Sequence, residues 1–459
     1  MLSHVRQSGF VLLLLAAALR GVCQQTPRRP VPGQPAPSPQ TVNSFGQNLN
    51  DIPQRFNKDT LRLDLSQAEK IFLDSNLQIL AQKYNVDATR ALIIQARLWP
   101  NPNLNIVQGA YNTQTHKWFP ITGRDNSEQA VQLSQLILLA GKIKKQVNIA
   151  KTNTLLAEYG LYDLLRTLKF ALRSSFFNIY YLGQTAKVYN EEISSLKTIA
   201  AAFEQQAGNG YVSEVDLVRI QAQLYSLQSE YQALIDNIND EQSQIRVLLQ
   251  VPATAFLAPV LDSATLAAAD PLKYNMQSLM DSAYQNRTDL MIAKGNLLLS
   301  QQTYSLQKAL AVPDLTLGTS WDKNGSYIHN FNAVSAGIDI PIFNRNQGNI
   351  KSARILIDLN KTQVQSTVKG LEEDVTRGLQ KALDADRLYK GINPAFAAHF
   401  DKLATAMLEN YMQRNIRLLD FLTFYDSYKQ NIVQLNTILF NKVNALENIN
   451  FLTGTNFFN

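Results

Sequence analysis

The stretch LWPNPNLNI, Leu98–Ile106, ends one periodicity and starts another. Before it, apolar residues recur at helical spacing. Pro100 halts that run, and beyond it the pattern shifts to short alternation. The chain repeats this at AVPDLTLG, Ala311–Gly318, and Pro100 and Pro313 stand 213 residues apart. At that offset Asn76-Leu77-Gln78-Ile79 falls on Asp289-Leu290-Met291-Ile292. Further on, LAGKIK (Leu139–Lys144) echoes NQGNIK (Asn346–Lys351), with Gly141 and Gly348 offset by 207. VDL (Val215–Leu217) echoes LDF (Leu419–Phe421) at 204. A slowly shrinking offset in constant order reads as a duplicated unit with small insertions.

Each unit reads as helix, strand, strand, long helix, turn, long helix. The first helix is expected to open at Ser66 and Glu69, which have capping-box spacing, and to run to about Leu98. Its partner is expected from about Met276 to Leu310. The strand pairs are Asn103–Tyr111 with Glu128–Leu136, and Asp314–Trp321 with Ala333–Ile340. The second pair alternates cleanly, with Leu315, Leu317, Thr319 and Trp321 on one face and Val334, Ala336, Ile338 and Ile340 on one face of its partner. Such alternation suits a barrel wall with a wet lumen, or a half-buried sheet in a soluble domain. Four strands cannot close a barrel, so a membrane reading requires several chains.

Apolar residues spaced three and four apart predict coiled-coil-like packing of the long helices. The seams run through Ile179, Tyr189, Ile193 and Phe203; through Ile220, Tyr231, Ile238 and Glu241; through Leu371, Val375 and Tyr389; and through Phe421, Tyr425, Lys442 and Ile449. A helix from Gly141 to Ala207 would be on the order of 100 Å long, too long for a compact globule. Gly391-Ile392-Asn393-Pro394 is expected to kink or break the third long helix.

The N-terminus carries Arg6, the apolar run Phe10–Leu19 and a small-x-small pattern ending at Cys23. This reads as a secretory signal peptide cut before Gln24. The rival is a lipoprotein signal with Cys23 lipidated, which Arg20 fits poorly. Thr26–Gln40 is Pro-rich and reads as an extended leader. The organisation is therefore 1–23 signal peptide, 24–60 leader, 61–250 first repeat, 251–273 connector and 274–459 second repeat. No apolar run of transmembrane-helix length follows, so membrane insertion would require a β-barrel. The net charge of +6 over 459 residues, without a basic stripe, argues against nucleic acid. The four His residues, His4, His116, His329 and His399, have no metal-ligand spacing, and no catalytic triad or phosphate loop stands out. No enzyme, cofactor or metal site is expected.

In this order, duplicated, the motifs resemble the TolC family of outer-membrane efflux channels over roughly Leu61 to Thr453. LDLSQAEKIFLDSNLQILAQ is similar to the family's opening helix. NRTDLMIAK (Asn286–Lys294) is similar to its counterpart in the second repeat, with Thr288 where the family usually has Pro. IPIFNRNQGNIKSA (Ile340–Ala353) resembles the strand-to-helix junction and is the most specific motif. GYVSEVDL (Gly210–Leu217) resembles the turn between the long helices, and RNIRLLDF (Arg414–Phe421) matches it without the Gly.

The resemblance implies a mainly α fold with β: a homotrimer with a twelve-stranded outer-membrane barrel, four strands per chain, continued by a helical tunnel through the periplasm. It implies a passive duct for small molecules, opened at its periplasmic tip by an adaptor and fed by an inner-membrane pump of RND or ABC type. A duct for type I protein secretion and a periplasmic coiled-coil scaffold are the alternatives.

The resemblance also places Gly210, Ser213, Asp216 and Arg219, with Arg414, Arg417 and Asp420, at the tunnel mouth. There, acidic rings would attract cations, and links to Arg would hold the coils shut. A purely local reading has Ser213 capping its helix and Asp216 favouring the helix dipole. Tyr111, Trp118 and Trp321, with Phe119, Tyr327 and Phe331, are candidates for an aromatic girdle against outer-membrane lipid; the alternative is packing within loops.

Overall fold

The computed structural model describes residues 59–113, 115–120, 128–209, 212–261, 269–324, 328–392, 402–403, 406–413 and 415–458. The expected signal peptide, Cys23 and nearly all of the expected leader lie outside the described residues. So do Gly210, Arg414, Tyr327, Asn393 and Pro394.

The elements in order are β1 (Asp59–Leu63), α1 (Leu65–Ser75), α2 (Leu77–Ala96), β2 (Asn103–Gln108), β3 (Tyr111–Asn112), β4 (Lys117–Trp118), β5 (Gln129–Ile137), α3 (Lys142–Gly208), α4 (Glu214–Leu249) and β6 (Ala255–Pro259). There follow a 3-10 turn (Pro271–Lys273), α5 (Met276–Asn286), α6 (Thr288–Leu310), β7 (Leu315–Asn324), β8 (His329–Ile338), α7 (Gln347–Lys390) and α8 (Leu418–Thr453). The order helix, helix, strand, strand, long helix, helix thus occurs twice.

Both opening helices are broken where one continuous helix was expected. The cap of α1 is Asp64, whose side chain accepts from the Gln67 N–H at 2.8 Å while Gln67 Oε1 accepts from the Asp64 N–H at 3.1 Å. The expected capping residues act elsewhere: Ser66 Oγ donates to Asp64, and Glu69 pairs with Arg173 of α3. The helix then breaks at Asn76, whose side-chain oxygen accepts from Gln78 and Ile79 and restarts the chain as α2. Its Nδ2 donates to the Leu248 carbonyl at the end of α4, so the break locks two helices together.

In the second half the break falls at Arg287, 211 residues after Asn76 and two residues before Asp289, its counterpart at the 213 offset. Arg287 is buried and pairs with Asp289 (2.6 Å) and Asp374 of α7 (3.2 Å). Thr288 fills the first helical position, where a Pro also fits because the N–H there has no intrahelical partner. The Thr hydroxyl adds a 2.6 Å bond to Asp163 of α3.

Strands β2, β5, β7 and β8 form one antiparallel sheet in that order. Because side chains alternate along a strand, the register fixes both faces. Leu104 and Ile106 of β2, Val131, Leu133 and Ile137 of β5, Leu315, Leu317 and Trp321 of β7, and Val334 and Ile338 of β8 share one face. Asn103, Asn105, Gln132, Ser134, Thr316, Gly318, Ser320, Ser335 and Gly337 lie on the other. Gly318 must be small, since a Cβ there would stand 2.7 Å from Ser335 Oγ. β2 and β8 are edges without a further strand among the described residues.

Next to the sheet, α2, α3, α6 and α7 pack side by side in that order; toward the far end the order is α4, α3, α8, α7. The 67 residues of α3 give a rod of about 100 Å. Three buried apolar clusters run along this body. One lies toward the far end around Phe421, Leu227 and Leu196; one joins α1, α3 and β6 around Phe72, Phe176 and Leu257; one joins α5, α7 and α8 around Leu371 and Ile449. The expected seams are largely the buried residues, with one shift. Gln242 is buried in place of Glu241, because its amide both donates to and accepts from the Leu257 backbone (2.7 and 2.9 Å). α7 ends at Lys390, with Gly391 as its C-cap. Among the described residues no helix is long and apolar enough to cross a membrane.

Candidate functional site

Two regions carry the candidate residues: the sheet with its junctions to the helices, and the turn joining the long helices at the far end.

At the junction, the chain leaves β5 through two left-handed residues, Ala140 (φ 55°) and Gly141 (φ 67°), and enters α3 at Lys142. Lys142 is 3% exposed, and its ammonium lies 2.6 Å from Asp314 Oδ1 and 2.8 Å from the Val312 carbonyl. Asp314 also accepts from the Leu139 N–H at 2.9 Å. One carboxylate therefore ties the exit from β5 to the entry into β7. In the second half the left-handed position before the helix is Asn346 (φ 58°), two residues ahead of Gly348, the counterpart of Gly141 in the repeat. Asn tolerates this backbone better than most residues. Its Nδ2 binds the Gln307 carbonyl and side chain, both at 2.8 Å, which clamps α7 to α6.

The aromatic candidates divide. Trp321 lies on the apolar face of the sheet, opposite Val131 and Asn332. Tyr111 and Trp118 face each other across the small β3–β4 hairpin, with ring centroids 4.9 Å apart, and Tyr111 Oη bonds His116 Nδ1 at 3.0 Å. Trp118 and Phe119 are exposed. Phe331 does not join Trp321: it pairs with Asp322, which puts it on the opposite, polar face. Sequence alternation alone missed this, because β8 starts at His329, four residues before its expected start.

At the far turn, Ser213 caps α4, its Oγ accepting from the Val215 N–H at 3.2 Å. Asp216 in the first turn complements the helix dipole and lies 3.4 Å from Arg219. In α8 the cap position is Arg417, which makes no side-chain cap bond and pairs with Asp420 at 3.0 Å. Both ion pairs are exposed and lie within a single helix. Within the chain Arg219 and Arg417 thus pair inside their own helices, and Arg414 lies outside the described residues. Exposed pairs of this kind contribute only a few tenths of a kcal/mol.

The turns meet through aromatic packing instead. Tyr411 stacks on the fully buried Phe421 at 4.5 Å and approaches Phe203 of α3 at 6.4 Å. Burial, and next the charge of Asp216, push the Tyr411 phenol up to about 12. Its hydroxyl is buried without a hydrogen-bond partner among the described residues. The charge of Asp216 in the first half is thus felt by Tyr411 in the second. Phe421 and Tyr425 were visible as seam residues, but Tyr411, outside the heptad run, carried no sequence signal.

A family model described as outer membrane efflux protein matches residues 70–249. The cobalt-zinc-cadmium resistance protein CzcC of Cupriavidus metallidurans is 23% identical over 309 residues, 63% of this chain. That span is 66% of the relative, just under two thirds of its length. Among solved structures, the Campylobacter jejuni CmeC outer membrane channel superposes with a TM-score of 0.70 at 14% identity, over 85% of each chain. CusC, described as undergoing conformational changes on folding and transmembrane channel formation, superposes with a TM-score of 0.66 at 17% identity, over 93% of this chain and 99% of its own. At these identities the structural likeness establishes the fold.

Proposed function

We propose that this chain is an outer membrane efflux protein, located in the outer membrane of a Gram-negative cell, and that three copies form the passive exit duct of a tripartite export system. The four-stranded sheet carries this reading. It has one mainly apolar face, one mainly polar face that also carries Val107, Leu136 and Phe331, and two edges at β2 and β8. A lone open sheet with an exposed apolar face is an unstable object in water. Pairing the β8 edge of one copy with the β2 edge of the next gives twelve strands and removes every edge. The Leu104, Leu133, Leu317 and Val334 face then meets lipid, and the Ser134, Ser320 and Ser335 face lines a wet lumen.

The helical body, on the order of 100 Å long, continues the lumen into the periplasm. Its far turns form the mouth, where three copies of Asp216 and Asp420 surround the axis. The Phe203–Tyr411 contact joins the two turns, and the Tyr411–Phe421 stack braces the second of them. A periplasmic adaptor opens the mouth, and an inner-membrane pump of RND or ABC type supplies the energy. No step of chemistry is required of the duct. The resistance relative makes divalent metal cations the first cargo class to test.

The experiment combines two readouts. Purified protein in planar lipid bilayers should conduct ions through a discrete pore. A deletion strain should become sensitive to metals or other toxicants and be rescued by the intact gene. Protein that forms no pore, with a strain whose resistance is unchanged, would contradict the duct.

A further inference from the structure

Glu192 of α3 is 2% exposed, and neither carboxylate oxygen has a hydrogen-bond partner among the described residues. A carboxylate cut off from both water and donors is costly to ionise. Its charged neighbours come from two other helices. Lys429 of α8 is itself 3% exposed. Its ammonium lies 2.8 Å from Glu230 of α4 and 3.0 Å from Asp426 of α8, and 5.8 Å from the Tyr189 ring centre. Glu230 also accepts from the Tyr189 hydroxyl at 3.1 Å. Tyr425 of α8, one helical turn before Lys429, feels the charge of Glu192 as well. The cluster therefore sets three carboxyl groups against one buried ammonium, and two of the three already share it.

We propose that Glu192 is a proton-binding site inside the helical body, and that losing its proton draws Lys429 away from Glu230. The proton leaves to water, and the ammonium changes partners without any covalent step. Burial is the main force raising the Glu192 carboxyl, to about 8; Lys429 opposes it, and Asp426 and Glu230 add to it. For Lys429, burial works against the charge, but its hydrogen bonds to Glu230 and Asp426 outweigh burial and keep it cationic. The site does not depend on the export reading, since all its groups lie within one chain.

The test is infrared difference spectroscopy of the detergent-purified protein, titrated from about pH 6 to about pH 10. The expected result is a neutral-carboxyl C=O band that bleaches near pH 8, is missing in Glu192→Gln, and bleaches at higher pH in Lys429→Met. Glu192→Gln keeps the shape of the protonated acid, so its assembly should match wild type. A band that persists in Glu192→Gln, no bleaching across the range, or a midpoint that Lys429→Met leaves in place would each overturn the proposal.

Discussion

Asp216 and Asp420 occupy the same place in their helices: each is the third helical residue, of α4 and of α8, 204 positions apart. Their arginine partners do not match. Asp216 pairs with Arg219, one turn further in, and Asp420 with Arg417, one residue before its helix starts. The carboxylates are the repeated feature, and the ion pairs are local. In a trimer the two carboxylates would form two acidic rings. We predict that Asp216→Ala with Asp420→Ala raises passive conductance several-fold in planar bilayers. Each change removes about 0.5 kcal/mol of helix-dipole stabilisation, too little to unfold the tip. Conductance equal to wild type would exclude these residues from the aperture.

Arg417 holds a cap position without capping. Arg417→Ser places a hydroxyl where Ser213 already caps α4. A good cap contributes about 1 kcal/mol, against about 0.4 kcal/mol for the exposed Arg417–Asp420 pair that is lost. The first turn of α8 should exchange its amide protons several-fold more slowly. Faster exchange would mean that Arg417 supports the turn in a way the local geometry does not capture.

Lys142 and Asp314 fasten the strand exits to the helices. Lys142→Met leaves Asp314 without its cation in a partly buried site. Removing one partner of a buried pair costs several kcal/mol, and the partial exposure of Asp314 puts this case near the low end, about 3 kcal/mol. The variant should melt earlier and yield less assembled oligomer. A melting point equal to wild type would show that the junction is held by the backbone alone.

The stability of the helical body should depend on Glu192 with a defined sign. Its folded carboxyl is raised from 4.5 to about 8. Between those values the folded protein keeps a proton that the unfolded chain has released, so stability falls as pH rises. Glu192→Gln removes that loss. The melting advantage of the variant should be near zero in acid, grow from about pH 5 and level off above about pH 8. An advantage independent of pH would reduce Glu192 to a packing residue.

Local periodicity made much of the fold legible. Pro100 and Pro313 marked the helix-to-strand changes, and the heptad seams identified residues that are indeed buried, such as Ile220, Leu371 and Phe421. The breaks at Asn76 and Arg287 escaped because apolar spacing continues across them; what makes each break is a side chain bonding another helix. The face of Phe331 escaped because it depends on where β8 begins. At the tip, Ser213 and both aspartates were legible from their turn positions. Tyr411 and the Glu192–Lys429–Glu230 cluster were not, because they join residues up to about 240 positions apart by contacts that leave no periodic trace.

On this reading the four strands close only in a trimer. Single-particle imaging of the membrane-extracted, detergent-purified protein decides it. A three-fold particle with a short detergent-belted barrel and a helical tube on the order of 100 Å long is expected. A soluble rod, or a dimer without a barrel, would contradict it and favour a coiled-coil scaffold.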